Sequence, residues 1–275
     1  MYTLSIPSDS LLSSEYYNSI MDYSAQLNNL GAAAAVGGNY QLALQLLKEA
    51  LDAKMKNISS TCENTLLNAA DQEATQEQRR RRLDHASSQL NQVTIASHES
   101  GDCDTVSQKL VPSCSGAFVY RTAFIVDTHQ EQDIDMTTEK SLHASPSYTI
   151  QTATLLFNIG LVYHLKRETV GSRPSHVKNA VTVYKMALGL LKDVLNSSNG
   201  CNMVDSRLVI AIINNLGEIH YEQGQYQLSK TYFGYLSAVL VSMVANGTNA
   251  HVDQNDWGGM IMNTMMDDPQ VAPAA

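Results

Sequence analysis

Asn29, Asn158 and Asn215 each stand two residues before a glycine, at Gly31, Gly160 and Gly217. A carboxamide carries a donor and an acceptor together. It can therefore bridge the C=O and N–H of an extended peptide without reading that peptide's side chains. Three of them at one recurring position would make a ladder for backbone capture. The plainer account is that asparagine is tolerated on a solvated helix face, although it is a mediocre helix former. Tyr163 and Tyr221 stand nearby as apolar contacts for the same groove. His164 and His220 follow the glycines by about one helical turn, which suits packed or groove-lining histidines better than metal ligands, since no second ligand is identifiable.

Other chemistry finds little support. No phosphate-binding loop, dinucleotide fingerprint, zinc-protease motif or nucleophile elbow occurs. The four cysteines, at 62, 103, 114 and 201, form neither a CxxC pair nor a disulfide framework. The expectation is a protein that is not an enzyme, with no metal and no cofactor. A net charge of −9 argues against nucleic acid or an anionic membrane surface as partner. RNA capture by a helical array, or a helical subunit that positions a catalytic partner, are the alternative uses. The start of the chain lacks a basic segment followed by an apolar run, and serines interrupt the longest apolar stretch, Leu236 to Ala245. A cytoplasmic location follows as the expectation, with Arg79–Arg82 as the feature that would suit nuclear import or an anion. A solvated helix face or disordered charge run is the plainer account of that run.

The elements that would position the asparagines repeat along the chain. Leu27-Asn-Asn-Leu-Gly31 leads to Gly38-Asn-Tyr-Gln-Leu-Ala43, and Ile213-Asn-Asn-Leu-Gly217 leads to Gly224-Gln-Tyr-Gln-Leu-Ser229. In both, the second glycine follows the first by 7 residues and the small residue follows it by 12. Leu156-Phe-Asn-Ile-Gly160 leads to Ala180, with 8 extra residues that the turn-like stretch 166–175 can absorb. Each copy reads as two antiparallel helices. Gly31 with Ala43, Gly160 with Ala180 and Gly217 with Ser229 mark the closest backbone approach, and Gly37-Gly38 ends the first helix.

This pattern resembles the tetratricopeptide repeat. Leu30, Gly31, Gly38, Tyr40, Ala43, Leu47 and Ala50 carry it in the first copy. Ile159, Gly160, Tyr163, Ala180, Tyr184 and Ala187 do so in the second, and Leu216, Gly217, Gly224, Tyr226, Ser229, Phe233 and Leu236 in the third. Leu236 departs from the small residue of the family, and no copy ends in the family's proline. The resemblance implies stacked helix pairs whose first helices line a groove for peptides. Leu-Asn-Asn-Leu-Gly is similar to the repeats of kinesin light chains, where the matching asparagine faces the peptide. Asn28, Ala32, Phe157, Leu161, Asn214 and Glu218 include no basic residue, which excludes a carboxylate clamp of the chaperone-binding kind. The implied function is a scaffold or adaptor for a protein or peptide partner. The occupant is either a partner's extended segment or a segment of this same chain. Oligomeric state stays open.

The expected fold class is all-α: a helical-repeat (TPR-like) array of antiparallel helix pairs with a long disordered insertion and a minor β element. Residues 1–23 form an N-terminal segment with a short helix around Glu15 to Asp22, and 24–56 the first pair. Residues 57–113 form a polar, largely disordered or solvated insertion: a short helix could run from Glu63 to Gln89, but Gln76-Glu-Gln-Arg-Arg-Arg-Arg82 leaves no apolar stripe. Residues 114–146 hold a strand candidate, Ala117 to Val126, whose aromatic and β-branched side chains alternate. Residues 147–196 and 205–246 form the second and third pairs. Residues 247–275 form an apolar Met-rich tail, whose Trp257 to Met266 is the predicted β partner of 117–126.

Overall fold

The computed structural model describes residues 10–60, 69–99, 117–126, 146–167, 174–196, 206–248 and 252–266. Helices α1 (Ser10–Val36), α2 (Tyr40–Ser60) and α3 (Ala69–Glu99) lie in one compact unit with Ile125 and Val126. Helices α4 (Pro146–Lys166), α5 (Pro174–Asn196), α6 (Ser206–Glu222), α7 (Tyr226–Ala245) and α8 (Gln254–Thr264) lie in a second, with residues 117–124. Among the described residues the regular structure is all-helical, and the helices pack as adjacent pairs: α1 on α2, α4 on α5, α6 on α7.

Local chemistry explains each pair. At the end of α1, Asn39 N–H donates to Ala34 O at 2.9 Å and Gly38 N–H to Ala35 O at 3.1 Å. At the end of α6, Gln225 N–H reaches His220 O at 2.8 Å and Gly224 N–H reaches Tyr221 O at 3.0 Å. These are Schellman closures. They need a left-handed residue, supplied by Gly38 at φ 75° and Gly224 at φ 70°. The Asn39 carboxamide then caps α2 by accepting from Leu42 N–H at 3.2 Å. Across the third pair, Ser229 Oγ donates to the Gly217 carbonyl at 2.8 Å. That bond fixes the crossing point and explains why serine serves where the other copies have Ala43 and Ala180. Leu236 is buried rather than excluded.

Three helical glycines, Gly189, Gly234 and Gly258, meet nothing. A Cβ at Gly189 or Gly234 would have no neighbour within 4 Å. Gly189→Ala and Gly234→Ala should each stabilise the fold by about 0.5–1 kcal/mol through helix propensity alone. Urea unfolding midpoints would show it, and a loss of stability would mean these faces are covered.

Several expectations are corrected. The short N-terminal helix and the first helix of pair one are a single helix, α1. Residues 69–99, placed in a disordered insertion, are the helix α3. Helix-forming residues (Ala, Glu, Gln, Arg, Leu) and ion pairs replace the missing apolar stripe. Glu77 meets Arg81 at 2.9 Å and Arg80 at 3.2 Å, while Arg82 reaches Glu49 on α2 at 2.8 Å. Arg79 lies 5.5 Å from the centre of the Tyr23 ring, and Ala86 is buried. Tyr23 donates its hydroxyl to Glu49 at 2.9 Å. Its pKa is pushed up to about 12 by burial and by that carboxylate. The rest of the insertion (61–68 and 100–113) and most of the enlarged turn (168–173) lie outside the described residues.

The β element is also corrected. Residues 117–126 are extended without forming a strand, and most of Trp257 to Met266 belongs to helix α8, so the two make no two-stranded patch. Asp253 caps α8 by accepting from the N–H of Asn255 at 2.8 Å and of Asp256 at 3.4 Å. Helix α7 has the length and composition to cross a membrane despite its serines. One face of it buries Phe233, Leu236, Leu240 and Met243, while Tyr235, Val241 and Val244 are exposed.

Candidate functional site

An extended backbone turns its N–H and C=O groups alternately to one side and the other. Every such group removed from water needs a partner. The segment 117–126 finds its partners in asparagine side chains. In the second unit, Asn215 Oδ1 accepts from Tyr120 N–H at 2.9 Å, and its Nδ2 donates to Tyr120 O at 3.0 Å. Asn158 treats Phe124 the same way, at 2.9 and 2.7 Å. Asn263, on α8, holds Phe118 at 2.8 and 2.7 Å. In the first unit, Asn29 holds Val126 with both bonds at 2.9 Å. Each carboxamide thus does for one residue what a neighbouring strand would do. The clamped residues are all even-numbered, as the period of two requires.

A second row of amides orients the clamps. Asn28 Nδ2 donates to Asn29 Oδ1 at 3.1 Å. Asn214 Nδ2 donates to Asn215 Oδ1 at 3.2 Å and to Phe118 O at 3.1 Å, and its own Oδ1 accepts from Asn263 at 2.8 Å. In the middle pair the equivalent position is Phe157. Its ring meets Phe124 edge-on at 5.2 Å and Tyr120 at 6.2 Å, and those two stack on each other at 5.9 Å. Phe118 lies where a side chain on Gly259 of α8 would stand.

Behind Asn215 runs a buried chain of polar groups. Asn215 Nδ2 also donates to the Tyr184 hydroxyl at 3.1 Å, and that hydroxyl sits 3.4 Å from His164 Nδ1. His164 Nε2 lies 2.9 Å from Glu218 Oε2. A carboxylate only accepts, so Nε2 carries the proton. Glu218 Oε1 meets Arg167 at 2.7 Å, and Arg167 meets Glu222 at 2.6 Å. Burial pushes the Tyr184 phenol far above its ordinary value, so it stays a neutral hydroxyl at any physiological pH.

Four residues expected at the groove have other positions. His164 belongs to the buried chain just described. Tyr163 tilts against His176 at 6.1 Å, and Tyr221 meets Tyr226 edge-on at 5.4 Å beside the α6–α7 turn. His220 stacks on Tyr232 at 5.4 Å and donates from Nδ1 to Gln225 Oε1 at 2.6 Å. None of the eight clamp bonds comes from these four; they pack helix against helix instead. Conversely, Asn263 went unseen because its stretch reads as a strand, and Asn214 was visible only as the neighbour of Asn215. Among the described residues no three His, Cys, Asp or Glu side chains group as a metal site.

His220 gives a pH prediction. Its Nε2 is buried with no partner among the described residues. Burial, with a smaller push from Lys185, outweighs the Gln225 bond and holds its pKa below the ordinary value. The unfolded chain therefore takes the proton first, and this residue's contribution to stability is lost as pH falls below about 6.5. Asp256 works the other way. Burial and Asp253 push its pKa up to about 6, so acidification relieves it. The informative quantity is the difference between proteins: His220→Gln should lose less stability than wild type between pH 7 and pH 5. Parallel profiles would contradict this.

Comparison with protein-family models, with curated proteins and with solved structures finds no match.

Proposed function

We propose that this protein is a non-catalytic binding module of tetratricopeptide-like helix pairs that takes an extended peptide by its backbone. The observation that carries the reading is the bidentate grip of Asn158 and Asn215 on single residues of an extended segment. A backbone-only grip accepts any chain that presents N–H and C=O in the same register. The resident segment 117–124 is then the occupant of a receptor site in the second unit, and a partner's segment takes its place. The acidic net charge of −9 favours a neutral or partly basic ligand over nucleic acid.

The test uses the full chain with its resident segment weakened by Phe118→Ser, Tyr120→Ser and Phe124→Ser. A fluorescent peptide with the sequence of residues 116–127 should bind it, as read by anisotropy. Adding Asn158→Ala and Asn215→Ala should remove that binding while circular dichroism stays helical. Each lost clamp leaves two amide groups without partners, at about 1–3 kcal/mol apiece. Equal binding with and without the asparagines would overturn the proposal. So would no binding by a helical chain, which would make the segment a permanent brace.

A further inference from the structure

Clamps that hold only backbone cannot tell one sequence from another, so selection falls to the side chains between them. In the second unit those side chains meet a defined surface. Phe118, Tyr120 and Phe124 point to the same side of an extended segment, because that side recurs every second residue. Phe118 fits over Gly259, where any Cβ would collide with its ring. Tyr120 and Phe124 share the Phe157 ring, which rests on the fully buried Tyr184 at 5.6 Å. Val119 is buried between the first two aromatics, whereas Thr122 is exposed. The chain continues beyond both ends of the segment, so no free terminus takes part.

Resting on the reading of this groove as a peptide site, we propose that it selects internal segments of another protein with the pattern aromatic–aliphatic–aromatic–x–x–x–aromatic, and that Phe118–Phe124 is a tethered competitor for that ligand. A tethered segment acts at an effective concentration on the order of millimolar. A ligand arriving from solution must overcome it, so the receptor answers only to segments that match all three aromatic positions or arrive at high local concentration. The required chemistry is uncharged and aromatic at fixed spacing.

Two peptides separate this proposal from the more general one. The first has the sequence of residues 116–127; the second has the same composition with the residues matching Tyr120 and Arg121 exchanged, which breaks the spacing between the aromatics in every register. Against the chain carrying Phe118→Ser, Tyr120→Ser and Phe124→Ser, the first should bind at least about tenfold tighter, since aromatic pairs add to affinity beyond the area they bury. Equal binding of both would overturn the side-chain selection and leave the backbone grip standing. Binding of neither by a helical chain would overturn both.

The wild-type chain supplies an arm that needs no folded variant. At millimolar concentration the first peptide should expose the Tyr120 and Phe124 amides to hydrogen exchange, and the second should not. Unchanged protection with the first peptide would overturn the competition. A wild-type chain that pairs with a second copy by trading these segments would overturn the assignment to a different protein.

Discussion

Glu218→Ala should destabilise the fold by about 3–5 kcal/mol, the range for removing one partner of a buried ion pair. The Glu218 side chain is fully buried on α6 and accepts from Arg167 at 2.7 Å and His164 at 2.9 Å, both beyond its own helix. Those two charge-assisted bonds offset much of its desolvation, so the group and its partners are strongly coupled. Without the carboxylate, the buried His164 loses the acceptor at 2.9 Å, and Arg167, 9% exposed, loses its contact at 2.7 Å and keeps Glu222. Glu218→Gln should fall between, because an amide can accept from one neighbour while its own NH2 faces the other. The contrasting variant is Arg82→Ala on α3, which leaves the Tyr23–Glu49 bond in place. There the pair with Glu49 is about a third exposed on each side, and its loss should cost about 1 kcal/mol or less. Urea unfolding of the three variants provides the comparison. A Glu218→Ala protein within about 1 kcal/mol of wild type would show that water reaches this cluster and that the burial argument fails.

The helix pairs were legible because two signals agree at each. A glycine facing a large residue, as Gly31 faces Leu47, Gly160 faces Tyr184 and Gly217 faces Phe233, recurs with a small residue four positions before the large one. The left-handed turns at Gly38 and Gly224 follow from glycine itself. Residues 117–126 were half legible. Alternating aromatic and β-branched side chains implied an extended backbone, and an extended backbone implied a partner. The partner was sought in another backbone, although a carboxamide is chemically an amide and serves as well. That substitution is what turned Trp257 to Met266 into an expected strand. The run lacks a helical apolar stripe, yet Asp253 immediately before Gln254 is a helix-start signal. Helix α3 was underrated for the opposite reason, its Glu63 to Gln89 candidate being discounted: intrinsic propensity and ion pairs hold a helix without the apolar stripe that usually announces one. The roles of His164 and His220 were beyond sequence reasoning, because position along a helix does not say which neighbour a ring meets.

Gly160→Ala should destabilise by about 1–3 kcal/mol even though alanine is the better helix former by up to about 1 kcal/mol. The new Cβ would sit 2.7 Å from Tyr184 Cε1 and 2.8 Å from Cδ1. A ring cannot fold away from such a contact; it must translate. Tyr184 has little room to do so, since Phe157 and His164 flank it with centroids 5.6 and 6.0 Å away and Asn215 bonds its hydroxyl. Gly31→Ala should be milder. Its Cβ would meet Leu47 Cγ and Cδ2 at 2.7 and 2.9 Å, and an aliphatic side chain can change rotamer where a ring cannot. The middle pair also links packing to the groove, because the hydroxyl that Tyr184 offers is a partner of the carboxamide that grips Tyr120. Displacing the ring should therefore loosen that grip, and the Tyr120 amide should exchange faster in Gly160→Ala than global stability alone accounts for. If the variant melts with wild type and the Tyr120 amide keeps its protection, the contact between Gly160 and Tyr184 is slack, and the buried chain behind Asn215 does not steady the clamp.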